Sequence, residues 1–468
     1  MSLGLLVAAW ETALRLFLVV MAAQLLRLGL TPLRRPPAPP EPPRWPKVTV
    51  QLPVRDEGEL ARRVLGVAAA LDYPRDRLDV QVLDDSSPGG PSARIVDDAA
   101  ASARASGLAV SVLRRPDRAG GKAGNLQHGL DRAAGELVLV LDADTRAAPG
   151  LLRGLVAALL ADPRAVMAQG AQRFDGADDG WLQRAQAILV EGLTQVEQPI
   201  RSASGQPLHF NGTGGIWRAD VIRALGGWRG VCEDYDLSLR AQVAGHRLLH
   251  RVDLTVHSEL TARVSDLRRQ QRRWTAGKAA AVRRVVGELP GARSRALELV
   301  APLVGRLLHP LVAGLALAAP AVAWGALDVP GPPRAWDLAL LGVVEASAAL
   351  HLRRVGRGRL AGDLALASAM LVGVSFACAR GLVEGWIGRE PAFERTPKAG
   401  ARGRGDPSGW VETLVGALCV TSAPAAAARG DLGSAASVIA IGAPLLAFGL
   451  GSRWWDRGAR VDDSGAGA

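Results

Sequence analysis

The stretch ELVLVLDADT, residues 136–145, decides the fold class. Residues 137–141 read Leu-Val-Leu-Val-Leu, so an extended chain has no polar side chain on either face. Such a run marks a strand covered on both sides, as in parallel sheets. It stops abruptly at Asp142 and Asp144. Three upstream stretches are similar: KVTVQLPVR (47–55), LDVQVLDD (78–85) and AVSVLRR (109–115). Helical segments such as GELARRVLGVAAAL (58–71) and KAGNLQHGLDRAA (122–134) lie between them. Alternating strands and helices predict an α/β domain over 47–262 with a mostly parallel sheet. Ligands of such sheets gather at the carboxyl ends of the strands. Two of those ends carry acids, VLDDSS (82–87) and LDADT (141–145).

The flanks are apolar. LGLLVAAWETALRLFLVVMAAQLLRLG (3–29) is long enough to span a bilayer. It has no basic leader region and no clear small-residue cleavage site, so it reads as an uncleaved anchor. Glu11 and Arg15 are four apart and can pair on one helix face. Arg27, Arg34 and Arg35 favour an outside N-terminus, with the following chain in the cytosol. RRPPAPPEPPRWP (34–46) reads as a stiff, extended linker. Further spans are expected near 300–326, 336–352, 410–428 and 433–451. The run 364–388 starts apolar but ends ARGLVEGWIG. The basic loops 353–359, 389–404 and 453–460 are all cytosolic only if 364–388 lies at, or re-enters, the cytosolic interface. A full crossing is the alternative. The plan is thus an anchor (1–30), a linker (31–46), the α/β domain (47–262) and an interfacial helix (263–295). Two membrane helices (296–352), an interfacial or re-entrant segment with a basic loop (353–409), two more membrane helices (410–452) and a polar tail (453–468) follow.

The formal charge is +11, and all but four of the 56 basic residues are Arg. The lysines are Lys47, Lys122, Lys278 and Lys398. Basicity of this kind gives only weak support for contact with phosphates or anionic lipid. The stretch RVSDLRRQQRRWTAGKAA (263–280) carries six Lys/Arg and one acid. A nucleic-acid partner fits poorly, because stacking aromatics are few and much of the chain is apolar. Cys232, Cys378 and Cys419 show neither metal spacing nor a disulfide framework; the last two read as small buried residues.

Each polar motif has a bland reading beside a chemical one. Asp142 and Asp144 offer hard oxygen ligands for Mg2+ or Mn2+ with substrate phosphates, yet DxD alone equally suits a solvated turn. Turn chemistry also explains Asp84 and Asp85. GGKAGN (120–125) opens a helix after a strand, where backbone N–H groups can face an anion. It is neither a dinucleotide nor a P-loop pattern. Lys122, in a chain that otherwise uses Arg, hints that an ammonium is wanted there. Glu233, Asp234 and Asp236 start a helical pattern, either as favourable acids at a helix N-terminus or as a base beside a substrate. HFNGTGGIWR (209–218) looks like backbone that approaches a ligand closely.

Six motifs occur in order: VLDDSS, GGKAGN, LDADT, FNGTGGIWR, EDYDLSLR and QQRRW. Together they resemble the processive family 2 glycosyltransferases, the cellulose-synthase-like membrane enzymes. The likeness runs from about 47 to 280, and RTPK (395–398) in the apolar C-terminal region extends it. Within that family it is to the cellulose-synthase-like mannan and glucan synthases. The resemblance implies a GT-A-type, Rossmann-like catalytic domain inserted between transmembrane helices of a multi-pass α-helical membrane protein. It implies inverting transfer from a nucleotide-sugar donor to a growing β-linked polysaccharide, with a divalent cation. A single transfer to a membrane lipid, as in ceramide glucosyltransferase-like enzymes, is the alternative.

The resemblance also distributes roles. Asp84 and Asp85 would contact the base and ribose, and Lys122 the phosphates. Asp142 and Asp144 would hold the metal on the diphosphate. Asp234 would be the catalytic base, with Glu233 beside it at the acceptor. Gln270 and Arg273 would hold the diphosphate or acceptor end, and Trp274 would stack on the acceptor sugar. Phe210, Asn211, Gly212 and Thr213 would line the acceptor site. Thr396 and Lys398 would belong to a gating loop, or to a basic loop facing anionic lipid. Cys232 stands where many members have Thr. Gln270, Arg273 and Trp274 share a helix face that Arg272 does not, so Arg272, Arg268 and Arg269 are expected to touch lipid headgroups.

Overall fold

The computed structural model describes residues 2–33, 35–288, 303, 305–332, 335–356, 360–391 and 409–458. Thr396 and Lys398 lie outside them. Eight strands form one sheet: β1 (Val48–Val54), β2 (Leu78–Asp84), β3 (Ala109–Leu113), β4 (Leu137–Val140), β5 (Arg146–Ala147), β6 (Ala165–Asp175), β7 (Gly215–Arg218) and β8 (Arg247–Glu259). Their order is β3-β2-β1-β4-β7-β6-β8-β5.

The four strands anticipated from the sequence, β1 to β4, run parallel. β7 then enters antiparallel to β4 and β6, β6 and β8 run parallel, and β5 closes the edge antiparallel to β8. The sheet is therefore mixed rather than mostly parallel. The missed strands have physical reasons for being illegible. β6 is rich in Ala, Gly and Gln, β8 mixes charges into its partly exposed length, and β7 is only four residues long.

β4 shows why the sheet needs cover on both faces. Leu137 and Leu139 enter one core layer with Val64 and Leu65 of helix Glu59–Ala69 and Leu152 and Leu155 of helix Leu151–Ala161. Val138 and Val140 enter the other, with Leu126 and Leu130 of helix Gly121–Leu130 and Leu237 of helix Glu233–Val243. Strand side chains alternate in direction, so continuous apolar sequence fills two layers at once.

Four described helices are long and apolar enough to cross a membrane: Leu3–Leu30, Gly305–Ala323, Trp410–Ala428 and Leu432–Ser452. The α/β domain is inserted between the first and second. Helix Ala335–Leu352 lies along the first helix, with Gly29 packed on Leu350. Arg15 pairs with Glu11 on its own helix at 3.1 Å and also with Asp337 across the interface at 2.6 Å. The run 364–388 falls in two helices, Leu360–Gly373 and Ser375–Trp386, bent by 48° about Val374.

The second leg of that bend packs on the long helix Val264–Glu288, which carries QQRRW. Gly381 and Gly385 face the backbones of Arg272 and Ala276, and any side chain there would collide. The arginines expected at lipid are instead paired with carboxylates. Arg268 meets Glu412 at 2.7 Å, Arg269 meets Asp266, and Arg272 holds Glu384 through two bonds of 2.8 and 2.6 Å. A cation packed between helices loses water and is tolerated there only with a counter-charge. Arg268 and Glu412 are both almost fully buried. Arg268→Ala leaves the Glu412 charge without its guanidinium, at a cost of about 3–5 kcal/mol. A clear drop in the thermal unfolding midpoint of the detergent-solubilised chain is the expected readout.

Candidate active site

The carboxyl end of β4 carries Asp142 and Asp144, and neighbouring segments fix both. The Asp142 backbone N–H donates to Thr213 Oγ1 at 3.0 Å, and that hydroxyl also bonds Thr145 Oγ1 at 2.7 Å. Asp144 Oδ2 accepts from the backbone N–H of Glu259, at the end of β8, at 3.1 Å. The strand end is thus clamped to the FNGT loop on one side and to β8 on the other.

Lys122 sits at the centre. Its Nζ meets Asp142 Oδ1 at 2.6 Å and Glu233 Oε1 at 3.3 Å, and donates to the Gly212 carbonyl at 3.0 Å. One ammonium therefore gathers GGKAGN, LDADT, FNGT and the Glu-Asp pair, four motifs spread over more than a hundred residues of sequence. Gly120 adopts φ +71°, a left-handed turn that swings Lys122 into place. Burial penalises the ammonium, but Asp142, Glu233 and Asp234 outweigh that penalty and raise its pKa.

Glu233 and Asp234 begin the helix Glu233–Val243. Burial pushes the Glu233 carboxyl up to about 7, against the pull of Lys122. Burial also raises Asp234, opposed by Lys122, Lys278 and a 2.7 Å hydrogen bond from the Tyr235 N–H to Oδ1. The other oxygen, Oδ2, faces Gly212. That glycine has φ +85°, and a methyl group on it would stand 3.1 Å from Asp234 Oδ2 and 3.5 Å from Lys122 Nζ. Gly212→Ala therefore strains the backbone and crowds the Lys122–Asp234 pocket. Turnover should fall by at least about tenfold while the protein stays folded, since a strained backbone costs on the order of 1–3 kcal/mol. Steady-state kinetics beside a thermal melt check this.

Asp84 and Asp85 end β2, but they do not face the cleft alone. The Asp84 side chain is fully buried; it accepts from the Ser86 N–H at 2.9 Å and from Arg114 at 2.8 Å. Asp85 binds Arg115 through two bonds of 2.8 and 2.6 Å. Arg115 also donates to the carbonyls of Ala119 and Gly121, which ties the acid to GGKAGN. In the sequence, Arg114 and Arg115 only end the strand pattern AVSVLRR and carry no sign of these bonds. Asp56, also missed, holds φ +51° at the end of β1 and accepts from the Ser87 N–H at 2.8 Å. A non-glycine residue in that region marks stored strain of the kind that collects at functional sites.

The FNGT segment divides in two. Phe210 is 1% exposed and packs on Trp217 and Trp228, so it supports the loop from behind and presents no face to a sugar. Thr213 is likewise buried and serves Asp142. Asn211 joins an amide network with Gln198 and Gln169. Those two glutamines gave no sequence signal, because only folding brings them to the loop. On helix Val264–Glu288, Cys232 abuts Gly277 and its thiol lies 3.5 Å from the Trp274 carbonyl oxygen. The face bearing Gln270, Arg273, Trp274 and Gly277 thus looks towards the Glu-Asp helix. Arg272 and Ala276 look the other way, towards Ser375–Trp386.

No group of three or more His, Cys, Asp or Glu among the described residues is placed to hold a metal ion by itself. Asp142 and Asp144 supply two hard oxygens, which fits a Mg2+ or Mn2+ whose remaining ligands are phosphate and water.

The family described as glycosyltransferase like family 2 matches residues 43–277, just over half of the chain. Glucomannan 4-beta-mannosyltransferase 2 of Arabidopsis thaliana is 37% identical over 251 residues, which are 52% of this chain and 47% of that protein. Glucomannan 4-beta-mannosyltransferase 9 of the same plant is 30% identical over 331 residues, 66% of this chain and 61% of that one. The chain spans about half the length of the curated relatives it matches. Among solved structures, the mannosyltransferase PcManGT of Pyrobaculum calidifontis, in complex with GDP-Man and Mn2+, superposes with a TM-score of 0.47 at 19% identity. That match covers 95% of this chain and 97% of that one. The chain belongs to glycosyltransferase family 2, in its cellulose-synthase-like branch, with a GT-A-type domain set between apolar helices.

Proposed function

We propose that this chain is a membrane-embedded, inverting and processive β-glycosyltransferase. It transfers a sugar, most simply mannose, from a nucleotide donor to a growing polysaccharide. The carrying observation is the single cluster of Lys122, Asp142, Glu233, Gly212 and Asp234 at the carboxyl end of β4. The relatives are named as 4-β-mannosyltransferases, which supports the choice of sugar.

Asp84, Asp85 and Asp56 border the nucleotide end, with Arg114 and Arg115 holding the two β2 acids in position. Asp142 and Asp144 would hold a divalent cation, which would supply neutralisation of charge on the leaving diphosphate. Lys122, Gln270 and Arg273 add fixed positive charge and donors where charge develops. The acceptor hydroxyl is a poor nucleophile with a pKa far above 7. As its oxygen bonds to the anomeric carbon, the bond to the diphosphate breaks and Asp234 takes the hydroxyl proton. With one base and no second carboxylate serving as nucleophile, displacement is single and an α-linked donor gives a β-linkage. Trp274 offers the acceptor an apolar face.

The domain faces the cytosol in this reading. The bend at Val374 and the packing of Ser375–Trp386 on the QQRRW helix support an interfacial place for that segment. Purified chain is incubated with GDP-mannose, UDP-glucose or UDP-N-acetylglucosamine, with Mg2+ or Mn2+, and nucleotide release and product size are measured. A β-linked polymer is expected. A product carrying one sugar on a lipid would sink the processive reading, and no release with any donor would sink the transferase.

A further inference from the structure

We propose that Lys278 is a substrate-contacting residue of the acceptor subsite, its ammonium donating hydrogen bonds to hydroxyl oxygens of the acceptor sugar beside Asp234. The proposal rests on the reading of Asp234 as the base.

Three observations carry it. First, Lys278 continues the active face of its helix. Residues 270, 274 and 278 are four apart, and such positions line one stripe. Trp274 and Gly277 on that stripe already touch Cys232, immediately before the Glu-Asp pair. Second, the ammonium has no hydrogen-bond or ion-pair partner among the described residues. Its close neighbour is the ring of Tyr235, 5.3 Å from Nζ to the centroid. Half-buried ammonium groups ordinarily find a counter-charge or an acceptor, because leaving one unmade costs the desolvation of the group. By contrast, Arg268, Arg269, Arg272 and Arg284 on the same helix each pair with a carboxylate. Third, the chain uses Lys at only four positions against 52 Arg. Lys47 forms a pair with Asp79, and Lys398 lies outside the described residues. The remaining two, Lys122 and Lys278, both act on Asp234.

The two lysines differ in kind. Lys122 is engaged with Asp142, Glu233 and the Gly212 carbonyl on the donor side. Lys278 comes from helix Val264–Glu288, and its donors are unspent among the described residues. Burial and then the Arg306 charge bring its pKa down to about 8, while the Cys232 thiol, Asp234 and Glu197 pull it upward. His209, against the same Tyr235 ring, is held neutral by its own burial. A compact ammonium with three free N–H groups suits the oxygens of a neutral sugar.

The test uses the full chain, the donor selected by the panel above, and β-1,4-mannohexaose as acceptor. Lys278→Met should raise the acceptor KM by about tenfold to a hundredfold, the worth of a hydrogen bond from a charged group. The donor KM should stay within about twofold, on the same scale of errors. Lys278→Arg, which keeps charge and donors, should recover part of the loss. Nucleotide affinity at the wild-type value shows that the variants are folded; should the Met variant fail this, Lys278→Gln takes its place with the same readout. An unchanged acceptor KM, or equal rises in both KM values, overturns the assignment. Asp234→Asn is measured alongside. If it retains turnover, the base itself is wrong; if it is inactive while Lys278→Met keeps a normal acceptor KM, only this inference fails.

Discussion

Asp234→Asn should lower sugar transfer by about 10²–10⁴-fold, the contribution of a positioned general base. The substitution is nearly isosteric, and its carbonyl oxygen can still accept the Tyr235 N–H bond, so the helix start should persist. In the proposed mechanism it removes the carboxylate that accepts the acceptor's proton. The environment also sets a pH signature. Burial raises the Asp234 pKa, and Lys122 and Lys278 pull against it, with Glu233 and Asp142 as the neighbouring acids. With Asp234 as the base, transfer should be full above that raised pKa and be lost as pH falls through it, which puts the expected acid limb above the ordinary Asp range. Nucleoside diphosphate release, followed against pH with saturating acceptor, measures both effects. Wild-type rates from the Asn variant would remove Asp234 from the chemistry.

The second large effect separates two adjacent arginines. Arg273→Ala should cost about 10²–10³-fold in turnover, the loss typical of one preorganised donor to developing charge. Arg273 shares the face of Gln270 and Trp274, which looks towards the Glu-Asp helix. Arg272 is directed the opposite way and grips Glu384 with two hydrogen bonds. That pair is partly solvated, so Arg272→Ala should lower stability by about 1 kcal/mol and leave the chemistry largely intact. Single-turnover rates with thermal melts on both variants discriminate. Equal losses of turnover would reduce the stretch to a basic surface.

Much of the site was legible because its chemistry is local to short motifs. Asp142, Asp144, Asp234 and Lys122 stand at strand or helix ends, where sequence pattern and element boundary coincide. The unread parts depend on approach between distant segments. Nothing near Arg115 in sequence says that it will clasp Asp85, and nothing near Gln198 says that it will reach Asn211. Phe210 shows the converse. Its motif suggested a ligand contact, yet a large apolar ring beside Trp217 and Trp228 is better placed out of water.

By itself the sequence determined the parallel half of the sheet, the apolar helices and the order of the polar motifs. Those follow from side-chain periodicity and from acids at the ends of apolar runs, which are properties of a few neighbouring residues. Only the tertiary structure decided the antiparallel entry of β7, the ion pairs that bolt Val264–Glu288 to the apolar helices, and the place of Lys278. A charge is read as surface until folding shows what faces it. Folding gave Arg268, Arg269 and Arg272 their carboxylates, and left the Lys278 ammonium over the Tyr235 ring with no ion-pair or hydrogen-bond partner among the described residues.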